Sequence, residues 1–588
     1  MAIAPDQVDL VARNSAIPII IGVTGHRDLR PTDLPRLKDQ VRAILSELRD
    51  HHRKTPLLVL SPLAEGADRL VANIALEQGA RLVVPLPLAR EEYEKDFETQ
   101  ESKNDFSDLL KQAWKCFELP LAQGNTSANT QGPGPARNKQ YALVGAYIAR
   151  HSHILIALWD GEQAGREGGT GQIVDFKLNG IPAPFARARK PLDIVDNGPV
   201  YQIVTPRTVT PNPKGTPFNL EIRFPDGWKS SESLEKSYGR ILKQMNTFND
   251  DALRLTKTRA LSLKTNRDFL IPEQESLHLS ETARLILDQY AVADALALYF
   301  QKRRRYTLIT LFLVAVLAVL SFEVYAHLLA HPFVLAIYPL SLASAVSLFF
   351  LAKRKEFQNK HLDYRALAEG LRVQLFWDLA GLSDEVADHY LRQHRTELEW
   401  IRNAIRGLNV LAEPDCVSGN PANEEGSSAA MVDCVLKHWV EDQRTFFDRA
   451  TRRDHSKLAR RETLAQALFG FGLALAALVV ALHLFLPDFG ESSHWRHLLI
   501  VVMGITPAIA AAIGGYAEKM AFSAQAKRYD WMKALFDRAA NQLRLLVDRK
   551  DYSGAQQLIF DLGKEALEEH GDWVMIHRER TADVYKGA

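Results

Sequence analysis

Pro18-Ile-Ile-Ile-Gly-Val-Thr-Gly-His-Arg27 decides the fold of the N-terminal region: a β-branched run ends in closely spaced glycines, a threonine, a histidine and an arginine. The run shows no alternation of polar and apolar residues, so the strand it predicts is covered on both faces. Pro56-Leu-Leu-Val-Leu60, Arg81-Leu-Val-Val84 and His153-Ile-Leu-Ile-Ala-Leu-Trp159 repeat the pattern. Continuous apolar strands separated by amphipathic helices predict a parallel sheet with helices on both sides, an α/β domain. Such sheets bind ligands at the carboxyl ends of their strands.

The unusual residues sit at those ends. After the first strand, Gly22 and Gly25 allow a tight turn and close ligand approach, while Thr24, His26 and Arg27 offer donors for a phosphate. After the second, Ser61-Pro-Leu-Ala-Glu-Gly-Ala-Asp68 leads into a helix over Asp68–Gln78. Glu65 and Asp68, around Gly66, suit ribose hydroxyls; Asp68 alternatively caps the helix. After the last, Trp159-Asp-Gly161 is followed by Arg166-Glu-Gly-Gly-Thr-Gly-Gln172 and a helix through Asp175 and Lys177. A glycine-rich turn opening a helix binds anions through backbone amides and the helix dipole, which assigns Trp159, Gly168, Gly169, Thr170, Gly171 and Gln172 to the ligand.

Further along, Thr307–Ala330, Phe333–Ala352, Thr463–Leu486 and His497–Ala517 approach or exceed the roughly 20 apolar residues that cross a bilayer. They form two hairpins and predict an all-α four-helix transmembrane region. Lys302-Arg-Arg-Arg305, Lys353-Arg-Lys355, Arg460-Arg461 and Lys527-Arg528 flank the hairpin bases, whereas the tips Ala326–Pro332 and Pro487–Arg496 hold only Arg496. The positive-inside rule then puts both termini in the cytoplasm. Phe357–Tyr364 after the second span echoes Phe522–Tyr529 after the fourth, and Pro339 and Pro507 fall at matching places, as in a duplicated hairpin. Small residues (Gly470, Gly472, Gly504, Gly514 and Gly515 among them) permit close helix contact. Glu323, the one acidic residue inside the spans, is read as a carboxylate near the outer interface in preference to a pore ring.

The 588 residues carry 72 Lys and Arg against 71 Asp and Glu, a net charge of +1 that argues against nucleic-acid binding. Cys116, Cys416 and Cys434 are far apart and without CxxC spacing, which argues against a disulfide framework or a zinc site. Met1–Ile17 carries Asp6, Asp9 and Arg13 and has no apolar core, so it is no secretory signal.

GVTGHRDL (22–29), SPLAEGADRLVA (61–72) and ARHSHILIALWDG with GREGGTGQIVDF (149–176) resemble the SLOG superfamily, the Rossmann-like fold of DprA and LOG proteins. The resemblance covers roughly residues 18–205 and implies nucleotide-derived ligands. The hairpins look like the SLATT membrane effectors that accompany bacterial SLOG domains in anti-phage or nucleotide-conflict defence; TRPM channels similarly couple a SLOG-like region to a pore. The sequence departs from the catalytic LOG motif PGGxGTxxE: with its GT on Gly169-Thr170, Ile173 stands where the glutamate belongs. N-glycosidic cleavage needs a nearby carboxylate, and Asp175 and Glu167, though close in sequence, lack that spacing.

The expected layout is an N-terminal extension (1–17), a SLOG-like domain (18–205), a linker and helix (206–279), a first hairpin with flanking helices (280–412), a flexible loop (413–427) and a second hairpin (428–588). The expected function is a sensor of a nucleotide-derived ligand coupled to a membrane effector (a pore or channel among the options), homo-oligomeric, in the bacterial inner membrane; the nucleotide-derived ligand is the one small molecule the sequence points to. The alternative is a membrane-anchored nucleotide hydrolase or N-glycosidase using Asp175, Glu65 or Glu167.

Overall fold

The computed structural model describes residues 16–163, 165–186, 195–209, 211–225, 231–258, 263–276, 279–390, 395–412, 424–485, 494–520 and 522–579. The N-terminal extension through residue 15, loop residues 413–423 and most of the second hairpin tip (486–493) lie outside them. Two compact units emerge. One holds Met1–Ala260, Gln274–Gln289 and Asp384–Ala422; the other holds Leu261–Glu273, Tyr290–Ser383 and Asn423–Ala588.

The first is a sheet unit built on seven strands: β1 (Ile19–Gly25), β2 (Leu57–Leu60), β3 (Arg81–Leu86), β4 (Lys115–Glu118), β5 (Ile154–Trp159), β6 (Val200–Val204) and β7 (Leu220–Arg223). Their order is β4-β3-β2-β1-β5-β6-β7, with all pairs parallel except β6–β7. The chain therefore winds outward from β1 in one direction and then, from β5, in the other. That reversal opens a crevice beside β1 and β5, where parallel sheets hold ligands. Ile19–Val23, Leu57–Leu60 and Ile154–Trp159 are buried throughout, as their continuous apolar runs require. The edges differ: β4 buries only Phe117 and β7 buries none of its residues. Residues 206–279, expected as linker and helix, thus contribute the antiparallel edge strand. Flanking helices include α1 (Leu34–His51), α2 (Ala67–Glu77), α3 (Gln100–Gln112), α4 (Pro135–His151), α5 (Thr170–Asn179) and α6 (Ser231–Lys257).

Beyond the sheet the described residues are mainly helical, with the long helices α7 (Glu281–His327), α8 (Pro332–Arg354), α9 (Phe357–Leu379), α10 (Arg395–Ala412), α11 (Glu424–Val435), α12 (Asp442–Phe485), α13 (His494–Lys519), α14 (Phe522–Asp548) and α15 (Tyr552–Glu579). The helix expected before the first apolar span and the span itself are one element, α7, of 47 residues. Among the described residues four helices are long and apolar enough to cross a membrane. Leu313, Leu340, Phe350, Leu473 and Leu484 along them are between 62% and 69% exposed, which an aqueous surface does not favour. Pro339 and Pro507 both lie inside helices, and both echoing segments begin new ones. Some small residues mark close approaches. An added Cβ at Gly472 would come within 2.6 Å of the Thr506 hydroxyl, at Gly504 within 2.8 Å of the Glu323 carboxyl, and at Gly515 within 3.1 Å of the Phe312 ring; at Gly470 and Gly514 it would meet nothing. Glu323 therefore packs on α13, with His327 3.6 Å away.

α10 belongs to the sheet unit, although it follows the first hairpin in sequence. His153, just before β5, accepts a hydrogen bond at Nδ1 from the Ile20 amide (2.8 Å) and donates from Nε2 to the Asn403 carbonyl (3.2 Å). Burial pulls its pKa down to about 4, so it stays neutral. Near it lies a charge cluster in which Arg402 and Arg406 are buried and their carboxylate partners half-buried. Arg406 and Arg402 hold Asp196 at 2.9 and 3.1 Å, Arg406 reaches Asp388 at 3.2 Å, and Arg150 bonds Asp388 (2.7 Å) and Glu385 (3.1 Å).

Candidate functional site

At the carboxyl ends of β1 and β5 lies a cavity of about 830 Å³, lined by residues from all three loops. Close backbone approach builds it. The His26 amide donates to Leu158 (3.1 Å), and the Ala67 amide, opening α2, donates to His26 (3.1 Å). Gly25 has no room for a side chain: a Cβ would sit 2.4 Å from the Ala67 Cβ. Gly66 combines φ +79° with a Cβ position 2.5 Å from the His26 and Arg27 carbonyl oxygens. Gly66→Ala should cost about 2 kcal/mol by forcing those loops apart; chemical unfolding of the full chain in detergent measures it, and an unchanged midpoint would refute the interlock.

The third loop ends in the N-terminus of α5. Gly168 (φ +77°) donates its amide to the Gln172 side chain at 2.7 Å, and Gly169 is the extended N-cap whose carbonyl accepts from Gln172 and Ile173. The Thr170 and Gly171 amides, at the start of the helix, have no carbonyl one turn earlier to bond and are the natural anion donors. Gly171 keeps this turn tight: a Cβ there would stand 3.3 Å from the Glu162 carbonyl, which would have to give by a few tenths of an ångström.

Charged groups converge on this frame. The Asp160 amide donates to His26 Nε2 at 3.1 Å, which places the ring proton on Nδ1. Burial lowers the His26 pKa despite the adjacent Asp160 carboxylate. Arg207 bonds Asp28 at 2.9 Å and lies 3.7 Å from Asp160. Asp68 is 6% exposed, and burial pushes its pKa up to about 7 although Arg27 pulls the other way. Arg27 lies 5.5 Å from the Tyr141 ring centroid; burial and a hydrogen bond to Asp96 push the Tyr141 phenol up to about 12.

Of the residues expected to contact a ligand, Thr24, Gly25, His26, Arg27, Asp68, Trp159, Gly168, Gly169, Thr170, Gly171 and Gln172 line the cavity. Gly22, Glu65 and Gly66 are not among its lining residues. Gly22 lets α4 pack on β1, where a Cβ would strike Ile148 and Ser152. Glu65 accepts a hydrogen bond from the Ser102 hydroxyl. Gly66 serves the loop interlock. Of the three candidate acids, Glu167 and Asp175 line the cavity, Asp175 accepting from Asn179 at 2.8 Å, and Glu65 does not. Asp68 does not cap α2: the N-cap is Gly66, and Asp68 lies inside the first turn.

The sequence matches no protein-family model and no curated protein. The cavity's own chemistry therefore carries the functional reading. Sequence reasoning missed Arg207, Tyr93, Asn138, Tyr141 and Glu162, which also line it. Arg207 was within reach, standing three residues beyond the β6 strand that Val200–Val204 announces. Tyr141 and Asn138 come from α4, where no loop motif flags them.

Proposed function

We propose that the chain is a membrane-embedded sensor whose sheet unit binds a nucleotide-derived anion and whose four apolar helices form the effector. The observation that carries this reading is the gathering of three loop motifs around one cavity at the β1/β5 reversal. Its volume falls in the roughly 300–1,000 Å³ range of small-molecule sites. Its donors suit a phosphate (helix-start amides, Arg27, Arg166 and Arg207), while Trp159 and Tyr141 offer rings for a base. This is what a Rossmann-like SLOG domain joined to SLATT-like hairpins requires. Binding acts on the helices only insofar as the ligand prefers one arrangement of the protein. The flanking basic residues favour cytoplasmic termini in a bacterial inner membrane. The effector is an oligomeric ion-permeable or membrane-disrupting assembly, and its setting is anti-phage or nucleotide-conflict defence.

Gly169→Asp separates folding from binding. Position 169 has the extended backbone of an N-cap (φ −80°, ψ 158°), where aspartate is favoured, and its Cβ would press on the Arg166 carbonyl at 3.0 Å, so the unfolding midpoint of the ligand-free variant serves as the control for the fold. The new carboxylate would occupy the amides meant for the ligand and lower its affinity by about tenfold or more. A panel of phosphorylated nucleosides and dinucleotides, scored by thermal shift of the full chain in nanodiscs and by ion flux from proteoliposomes, provides the test. No shift with any compound would end the sensor reading.

Glu167 and Asp175 line the cavity and keep hydrolysis as the second reading. Against it stands Ile173, which occupies the position of the LOG glutamate and packs on Gly145 of α4 at 4% exposure. Released base or sugar phosphate from the same panel would favour hydrolysis over sensing.

A further inference from the structure

A second cavity, of about 210 Å³, lies in the helical unit where the charged ends of α7 and α8 give way to their apolar stretches. Arg304, Leu308 and Leu311 of α7 line it together with Phe349 and Lys353 of α8 and Glu356 just after. Arg304 is the anomaly. It is 8% exposed, and its one hydrogen bond among the described residues runs from Nη2 to the Lys519 carbonyl at 3.1 Å. Its Nε is buried with no partner. No carboxylate among the described residues lies within ion-pair distance of it. Glu356 lines the same cavity without pairing with it, the Tyr516 phenol and His361 interact electrostatically with it, and burial keeps the His361 ring neutral. A guanidinium does not deprotonate in proteins, so the charge stays. A buried, uncompensated cation costs several kcal/mol unless an anion joins it.

We propose that this cavity is a binding site for the phosphate of an anionic membrane lipid. Arg304 supplies a forked donor set suited to a phosphodiester, and Lys353 adds a second cation at the rim. Leu308, Leu311 and Phe349 offer an apolar wall for the start of an acyl chain, which distinguishes a lipid from free phosphate. The placement at the basic bases of two apolar helices is where a headgroup would lie. The site is separate from the cavity of the sheet unit and does not depend on what that cavity binds.

The test uses the full chain, extracted in detergent and reconstituted in nanodiscs of phosphatidylcholine alone or in equal parts with phosphatidylglycerol. Native mass spectrometry reads the lipid retained on the chain, and thermal unfolding reads the stabilisation. The wild type should retain phosphatidylglycerol over phosphatidylcholine by about tenfold, the ratio for one charge-assisted contact of about 1.4 kcal/mol. Arg304→Gln should abolish the preference. Leu311→Trp fills the cavity and leaves the charge intact, so it decides the matter if the arginine variant misfolds; it too should lose the lipid. Equal retention of both lipids by the wild type, or undiminished preference in Leu311→Trp, would overturn the proposal. Stabilisation by inorganic phosphate equal to that by phosphatidylglycerol would assign the site to free phosphate and overturn it likewise. A chain that stays in solution without detergent or lipid would overturn it together with the membrane reading.

Discussion

Asp68→Asn should make the chain more stable than wild type at pH 8 and leave it equal at pH 4. Burial raises the Asp68 pKa from its ordinary value to about 7, with Arg27 and Arg69 only partly opposing. A carboxyl whose folded pKa exceeds its unfolded value binds its proton more tightly when folded. Its contribution is therefore complete below about pH 4 and disappears as the pH rises through 7. At about 1.4 kcal/mol per pKa unit the swing approaches roughly 4 kcal/mol. Asparagine has no such proton to lose, and its side-chain oxygen can still accept the hydrogen bond that the Ala64 backbone gives Asp68. Urea unfolding of both proteins at several pH values measures this; parallel pH profiles would sink it. An anion bound in the same cavity would raise the Asp68 pKa further, so its binding should tighten on acidification in the wild type and lose that dependence in the variant.

The second large effect concerns the opposite end of the strands. Arg406→Met should destabilise the sheet unit by about 3 kcal/mol, because removing a buried arginine strands the half-buried carboxylates it holds. Arg406 is 8% exposed and bonds both Asp196 and Asp388. Burial disfavours the charge on Asp196 and Glu385, but Arg406 and Arg402 beside the first, and Arg150 and His151 beside the second, hold both well below the usual carboxylate range. Carboxylates lowered in this way stabilise above about pH 4, and that stability is lost as the pH falls through their folded values. The variant should thus unfold at a higher pH in acid titration than the wild type. A change within 1 kcal/mol, with an unshifted acid limb, would show that the cluster adds little.

The parts of this molecule legible from sequence are those whose residues must meet one solvent demand. Ile19–Val23 and Ile154–Trp159 announce themselves because both faces of a central parallel strand are buried, and the four apolar helices because a bilayer tolerates little else. β4 and β7 do not, since Lys115-Cys-Phe-Glu118 and Leu220-Glu-Ile-Arg223 lie at the sheet's edges, where water covers one side. The loop motifs pointed to the right strand ends, but glycine alone does not say what it is small for. Gly25 and Gly171 line the cavity, whereas Gly22 and Gly66 make room for Ser152 and for the carbonyls of His26 and Arg27. Residues brought by tertiary packing, such as Tyr141 from α4, leave no local trace.

The membership of α10 in the sheet unit imposes a timetable on synthesis. Residues 384–412 leave the ribosome after both helices of the first hairpin, yet Arg150 at the end of α4 and His153 just before β5 depend on them for Glu385, Asp388 and the Asn403 carbonyl. The nascent N-terminal sheet must therefore wait, its basic pole uncovered, while two apolar helices are made. It closes only when the chain returns from them, and a piece ending at residue 230 would carry the ligand cavity without its counterweight.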